Sequence, residues 1–269
     1  MKLIKKILLG SLFIGFYFFS LNAMENIEST QKVGSAETKI SEKNFKNEKK
    51  EIVVLYSGGL DSSALVGMCG ARKYDIVHLL TFDNGAQYNL EMSKIKLDEF
   101  RRVFPKTTFI HKIISVRYLF KEISLIDIEE DILQYKTNLL CVGCKMSMHA
   151  FAVIYAKENN INIVIDGFVK RQNHFPEQDQ SFIDEIKKIY KKYNVVYKSP
   201  LYFIVQEKKD VKNILSRYNL STKSIEPECL FGNTFSTSTS KNIRKYIRSK
   251  RKKTYKFIDE FLKESTLLI

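Results

Sequence analysis

From residue 50 onward, short apolar runs alternate with stretches whose apolar residues recur at helical spacing. The run Ile52-Val53-Val54-Leu55 predicts a strand, 61–72 a helix, 76–82 a second strand and about 90–103 a second helix. A third strand is predicted over 108–114 and a helix over 147–159, with Ala150, Ile154 and Ala156 on its apolar side. A fourth strand at 161–165 and a helix over 181–193 follow. Strands that are apolar throughout, separated by amphipathic helices, are buried on both faces. The fold class is therefore α/β, a three-layer parallel sheet with helices on both faces. Such sheets bind ligands at the carboxyl ends of their strands. Those ends carry Tyr56–Gly59, Phe82-Asp83-Asn84 and Asp166-Gly167, which should meet in space.

The pattern differs at both termini. In residues 1–23, Lys2, Lys5 and Lys6 precede an apolar run from Ile7 to Phe19, and Leu21-Asn22-Ala23 ends in a small residue. That layout is a signal peptide's, and the run is short for a transmembrane span. Three readings stay open: export or organellar delivery, an anchor that would be the chain's membrane contact, and a true start at Met24. Residues 24–50 are polar and close to charge balance, a flexible linker by composition. Residues 51–232 form the expected domain, and 233–269 a basic helical tail. The 269-residue chain has 44 Lys+Arg against 30 Asp+Glu, a net charge of +14. An excess of that kind favours a polyanionic partner. It concentrates between Lys241 and Lys256, where Lys241, Arg244, Lys245, Arg248, Lys250, Arg251, Lys252, Lys253 and Lys256 stand without an acidic residue. Tyr246 and Tyr255 are interleaved as candidate stacking surfaces for RNA, against the plainer reading of a solvated helix face.

The candidate chemistry begins at Ser57-Gly58-Gly59-Leu60-Asp61-Ser62-Ser63, directly after the first strand. Two glycines let the backbone turn with positive φ and let a ligand approach closely. Free N–H groups and the helix dipole make an anion site, and Ser57, Ser62 and Ser63 add hydroxyl donors for phosphate oxygens. Asp61 would cap the helix or hold Mg²⁺ against those phosphates. Neither the GxxxxGK[ST] nor the GxGxxG spacing is present. Cys141-Val142-Gly143-Cys144 precedes the helix predicted from 147, and Cys229 lies in Glu228-Cys229-Leu230-Phe231-Gly232. A thiolate near a helix N-terminus with Lys145 beside it should have a lowered pKa. Cys69 reads as a buried filler. The four histidines are dispersed without metal spacing.

The Ser-Gly-Gly-Leu-Asp-Ser-Ser loop resembles the signature of the PP-loop ATP pyrophosphatases, a HUP-like superfamily. The resemblance covers roughly residues 50–232. It implies ATP with Mg²⁺ over Gly58 and Gly59, adenylation of a carbonyl oxygen, and release of AMP and pyrophosphate. Phe82 and Asp83 would flank the adenosine, and Gly167 would border the nucleotide. The segment from Cys141 to Gly167 is similar to the tRNA thiolation enzymes, and Cys229-Leu230-Phe231-Gly232 to the Cys-Phe-x-Gly element of their 2-thiouridylase branch. That likeness implies a tRNA substrate, held through Lys241–Lys256, and a sulfur donor protein. Cys144 would be the attacking or disulfide-forming partner, and Cys229 the persulfide carrier. A second thiolation branch holds a [4Fe-4S] cluster on three cysteines, a count that Cys141, Cys144 and Cys229 match. A competing resemblance is to the 7-cyano-7-deazaguanine synthases, amide- and nitrile-forming ligases. It rests on His78–Tyr88, on Phe175-Pro176-Glu177 with Phe182-Ile183, and on Ser199-Pro200-Leu201 with Lys208 or Lys209. That family closes with four zinc-binding cysteines, where this chain has Cys229 and the Ser/Thr run Ser236–Ser240. An expectation of another class is an exported nucleotide- or RNA-binding protein without catalysis.

Overall fold

The computed structural model describes residues 49–231 and 236–267. The signal-peptide and linker expectations for residues 1–48, and Gly232, lie outside the described residues. Five strands form one parallel sheet: β1 (Glu51–Leu55), β2 (Ile76–Asp83), β4 (Thr108–Ser115), β5 (Ile163–Ile165) and β6 (Val196–Lys198). Their order is β4-β2-β1-β5-β6, with Val54 opposite Leu79 on one side and Ile165 on the other. The chain thus reverses its direction of travel across the sheet beside β1, the place where ligand clefts open in such folds.

Alternation of side chains along the strands divides the core in two. Ile52, Val54, Val77 and Leu79 pack under α1 (Leu60–Ala71), α2 (Leu97–Val103) and the later helix Lys208–Arg217. Val53, Leu80 and Phe82 face the other way, onto Leu140–Glu158, Gln180–Lys192 and Ser240–Leu267. In chain order the remaining helices of more than one turn are α3 (Ile128–Tyr135), α4 (Leu140–Glu158), α5 (Gln180–Lys192), α6 (Lys208–Arg217) and α7 (Ser240–Leu267). A small antiparallel pair, β3 (Gln87–Tyr88) with β7 (Glu228–Cys229), sits apart from the main sheet.

Three elements depart from expectation. The stretch 90–103 is a 3-10 turn at Leu90–Lys94 followed by α2, not one helix. Asn89 has φ 57°, and the Ser93 hydroxyl bonds back to the Leu90 carbonyl at 2.7 Å, which favours the tighter turn. The helix expected from 147 begins at Leu140, where the Asn138 side chain accepts the Leu140 N–H at 2.8 Å. Cys141 and Cys144 therefore lie inside its opening turns rather than before it. The basic run belongs to α7, whose Ile243, Tyr246, Ile247 and Ile258 are buried. Tyr246, expected as a stacking surface, is instead 1% exposed in the core, and its truncation to Ala would cost about 3 kcal/mol. The Lys250 ammonium meets Asp131 at 2.7 Å and Asp127 at 3.0 Å, and Arg248 and Arg251 both pair with Glu185. Part of the positive run is thus internal scaffolding. No single helix among the described residues is long and apolar enough to cross a membrane.

Candidate active site

The three strand ends meet as the strand order requires. They border a cavity of about 420 Å³ lined by Tyr56, Ser57, Gly59, Asp61 and Ser62, by Thr81, Phe82 and Gln87, and by Asp166, Gly167 and Phe168. Lys145, Met148, Arg171, Gln178, Lys208 and Glu226 complete its walls.

At the phosphate end, β1 runs straight into the glycine turn. Gly58 has φ +87°, and a Cβ there would stand 2.2 Å from the Ile225 carbonyl oxygen, so only glycine fits. Gly59, extended, is the N-cap of α1 and no side chain caps it; Asp61 is the helix's second residue, in its first turn, contrary to its expected capping role. Ser62 accepts from the Ser57 N–H at 3.3 Å and donates to the Gly59 carbonyl at 3.3 Å. Ser63 is fully buried, with its hydroxyl 3.5 Å from the Gly58 carbonyl. These two hydroxyls brace the loop, and Ser57, Ser62 and the loop backbone border the cavity. The Asp61 carboxylate receives Arg171 Nη2 at 2.9 and 3.1 Å. Burial pushes its pKa up, and the Arg171 guanidinium pulls against that. An Asp61 held this way is no open metal ligand, and no group of three or more His, Cys, Asp or Glu among the described residues forms a metal cage. Magnesium would accordingly arrive with ATP, as part of the substrate.

Phe82 lines the cavity as expected, but Asp83 does not. Its carboxylate turns to Arg117, at 2.6 and 3.0 Å, and accepts the Gly85 N–H. The neighbouring Asn84 has the more telling position. Its Oδ1 accepts the N–H groups of Ala86 and Gln87, at 2.9 and 3.0 Å. That fixes the amide so that Nδ2 faces two sulfurs, Cys144 Sγ at 3.3 Å and Cys229 Sγ at 3.7 Å. Cys229 reaches this point because it pairs with Gln87 in the small sheet. Two cysteines far apart in sequence thus share one donor beside the cavity wall. Cys141 Sγ instead lies 3.9 Å from the Phe231 carbonyl.

The expected lowering of the Cys144 pKa is overturned. Burial pushes that thiol up to about 12, outweighing the Asn84 N–H and the charge of Lys145. Desolvation wins because the sulfur is 8% exposed residue-wide and walled by core side chains. Cys144 and Cys229 are gathered on the Asn84 amide while Cys141 lies against the Phe231 carbonyl, and no three His, Cys, Asp or Glu side chains among the described residues are placed to hold a metal, so the cysteines as arranged do not fit a cluster. Cys69 is buried in α1 with its thiol also pushed up to about 12, as a filler would be. At the back wall, Asp166 accepts from Tyr197 and from the Phe168 N–H, and burial raises its pKa to about 6. His149 packs behind it, 3.6 Å away, with its pKa lowered by burial to about 3, and is therefore neutral.

Sequence reasoning missed Arg171, Lys145 and Glu226 as cavity residues, because no local spacing marks them. Lys208 was visible only through the likeness of the Pro-Leu…Lys stretch.

Residues 51–232 match the family model described as Queuosine biosynthesis protein QueC. The tRNA-specific 2-thiouridylase MnmA of Rhizobium johnstonii is 26% identical over 140 residues, covering 50% of this chain and 34% of that protein. The corresponding protein of Roseobacter denitrificans is 30% identical over 98 residues, covering 35% and 26%. The chain spans about a quarter to a third of the length of these curated relatives. Among solved structures, the U34-tRNA thiolase NcsA from Methanococcus maripaludis with its [4Fe-4S] cluster aligns at TM-score 0.45 and 12% identity, over 80% of this chain and 72% of that one. A predicted subunit of tRNA methyltransferase from Methanocaldococcus jannaschii aligns at TM-score 0.39 and 18% identity, over 70% and 96%.

Proposed function

We propose a function from one premise: this chain belongs to the queuosine biosynthesis protein QueC family, within the PP-loop ATP pyrophosphatases. On this reading it adenylates a carbonyl oxygen of a nucleobase in tRNA and passes the activated carbon to sulfur. The observation that carries it is the shared hold of Asn84 on Cys144 and Cys229 beside the ATP cavity. Sulfur transfer requires thiols that change their bonds, whereas nitrogen transfer does not.

The carbonyl oxygen attacks the α-phosphorus of MgATP, and magnesium pyrophosphate leaves across the Ser57–Gly59 turn. Loop N–H groups, the α1 dipole and Lys208 stabilise the charge that develops there. Arg171 holds Asp61 at the rim, which keeps the loop's first helical turn in place. Cys229 is the more accessible of the two sulfurs and Cys144 the more buried, so Cys229 carries the persulfide delivered by a donor protein. Its terminal sulfur attacks the adenylated carbon and AMP departs. Cys144 sulfur then attacks Cys229 Sγ and breaks the S–S bond, its thiol proton passing to the departing base sulfur. Thiolated base is released and a Cys144–Cys229 disulfide remains, which an external thiol reductant resets. No step passes through an iron–sulfur cluster.

The tRNA would lie along α7. Arg248, Lys250 and Arg251 are committed to internal pairs; of the other basic residues of the run, Lys241, Lys245, Lys252 and Lys256 fall within a stripe of about 60° at 100° per residue. A one-sided basic stripe suits a phosphate backbone.

The test incubates the full chain with MgATP, unmodified tRNA and a persulfide donor, and follows pyrophosphate and labelled sulfur. Sulfur in tRNA that disappears in Cys229→Ser and Cys144→Ser supports the reading. The second reading, a deazaguanine synthase-type ligase, is favoured by the family model itself. It predicts pyrophosphate release with a carboxylated deazapurine and ammonia that survives both substitutions. Absence of pyrophosphate under either condition would favour a binding protein.

A further inference from the structure

Beneath the phosphate turn sits a positive charge without a counter-ion. Lys96, at the start of α2, is 3% exposed. Its ammonium meets the Ser63 hydroxyl at 3.2 Å, and no carboxylate among the described residues lies within ion-pair distance of it. Glu99 and Glu226 act on it only from farther away. Burial alone would favour loss of its proton. A buried ammonium left unpaired weakens a fold, and proteins keep one where something else compensates. The contact leads towards the phosphate site: Ser63 reaches the carbonyl of Gly58, in the middle of the glycine turn. Above that turn an anion is already in place. Glu226 Oε2 lies 3.5 Å from Ser57 Oγ and only 2.4 Å from where a Cβ on Gly59 would stand.

We propose that Lys96 is the built-in counter-charge of the pyrophosphate group of ATP, and that Glu226 holds the phosphate position until nucleotide displaces it. This rests on the nucleotide reading above, and adds one charge behind the turn, acting through Ser63, and one carboxylate over it, neither contained in any motif. In the free protein Lys96 is poorly compensated from below and Glu226 partly answers it from above. With a phosphate over Ser57–Gly59, a stronger and closer anion replaces the carboxylate, and ligand binding recovers the stability that Lys96 costs.

The experiment measures inorganic pyrophosphate and ATP binding by calorimetry, both with Mg²⁺, together with the melting temperature of the ligand-free full chain. Lys96→Met should melt at or above the parent and bind pyrophosphate at least about tenfold more weakly, as loss of one partly buried charge contact implies. Lys96→Arg should keep most of the affinity, and Glu226→Gln should bind pyrophosphate several-fold more tightly. Lys96→Met that binds like the parent overturns the proposal. So does a Lys96→Met protein that melts lower and binds weakly, since the lysine would then be structural. If the parent binds pyrophosphate and ATP, either of those results condemns the role of Lys96 alone. A parent that binds neither ligand overturns this proposal and the nucleotide reading together.

Discussion

The glycine-turn end of the cavity and the sulfur end beside its wall are built by opposite means. The phosphate end is one uninterrupted strand–turn–helix, β1 through α1, and most of its hydrogen bonds run between residues at most five apart, such as Ser57 to Ser62 and Ser63 to Gly58. The sulfur end is assembled from β2, α4 and β7, with Asn84 and Cys229 separated by 145 positions. Damage should therefore spread differently. A change in the turn acts on the backbone proposed to receive phosphate. A change at the sulfur end breaks a tertiary meeting point and leaves ATP handling untouched.

The sharpest way to break that comparison is Cys229→Ser. We expect complete loss of sulfur transfer with ATP-dependent pyrophosphate formation kept, read in the same labelled-sulfur and pyrophosphate assays. Loss of both would mean that the ends are not independent. Asp61→Ala is the mirror experiment. It should lower pyrophosphate release by about 100- to 1,000-fold, the usual scale for removing a group that organises an anion site, while iodoacetamide modifies Cys144 and Cys229 at the parent's rates. Asp166→Asn probes the wall common to both ends. The folded state holds this proton more tightly than the unfolded chain does, since the pKa is raised to about 6. Its contribution to stability is therefore full below about pH 4 and is lost as pH rises through 6, by an amount on the order of 1–3 kcal/mol. The Asn variant should show a flatter melting profile across pH 4–7. Asn84→Asp is the finest test. Its carboxylate still accepts the Ala86 and Gln87 N–H groups but offers the sulfurs no donor, so alkylation of Cys144 at pH 8 should slow by about tenfold at unchanged melting temperature, as one unit of thiol pKa implies. Metal analysis of protein purified without oxygen bears on the same end: the thiol-pair reading expects no stoichiometric iron, and iron with labile sulfide would replace it by a cluster.

Much of the phosphate end was legible because its chemistry is contiguous. Ser57 through Ser63 follow an apolar strand and open a helix, so the turn is implied by neighbours alone. The meeting of Tyr56–Gly59, Phe82 and Asp166-Gly167 followed from the parallel sheet. Helix limits were less legible. Asn138 starts α4 well before its apolar periodicity becomes visible, and this moved both cysteines from a loop into a helix. The β3–β7 pair left no periodic signal, because two residues a side are too few to show one.

The sequence by itself determined the α/β class and the glycine turn after β1, since each depends on contacts among near neighbours. Only the tertiary structure decided that Asn84 faces both sulfurs, that Arg171 closes on Asp61 and that Lys96 lies buried under the turn. It also reversed the sign at Cys144. A helix start and Lys145 both act to lower that thiol's pKa, and both are visible in the sequence. The burial that raises it to about 12 comes from side chains brought in by distant elements, and in a water-poor interior desolvation outweighs the pull of one amide and one neighbouring charge.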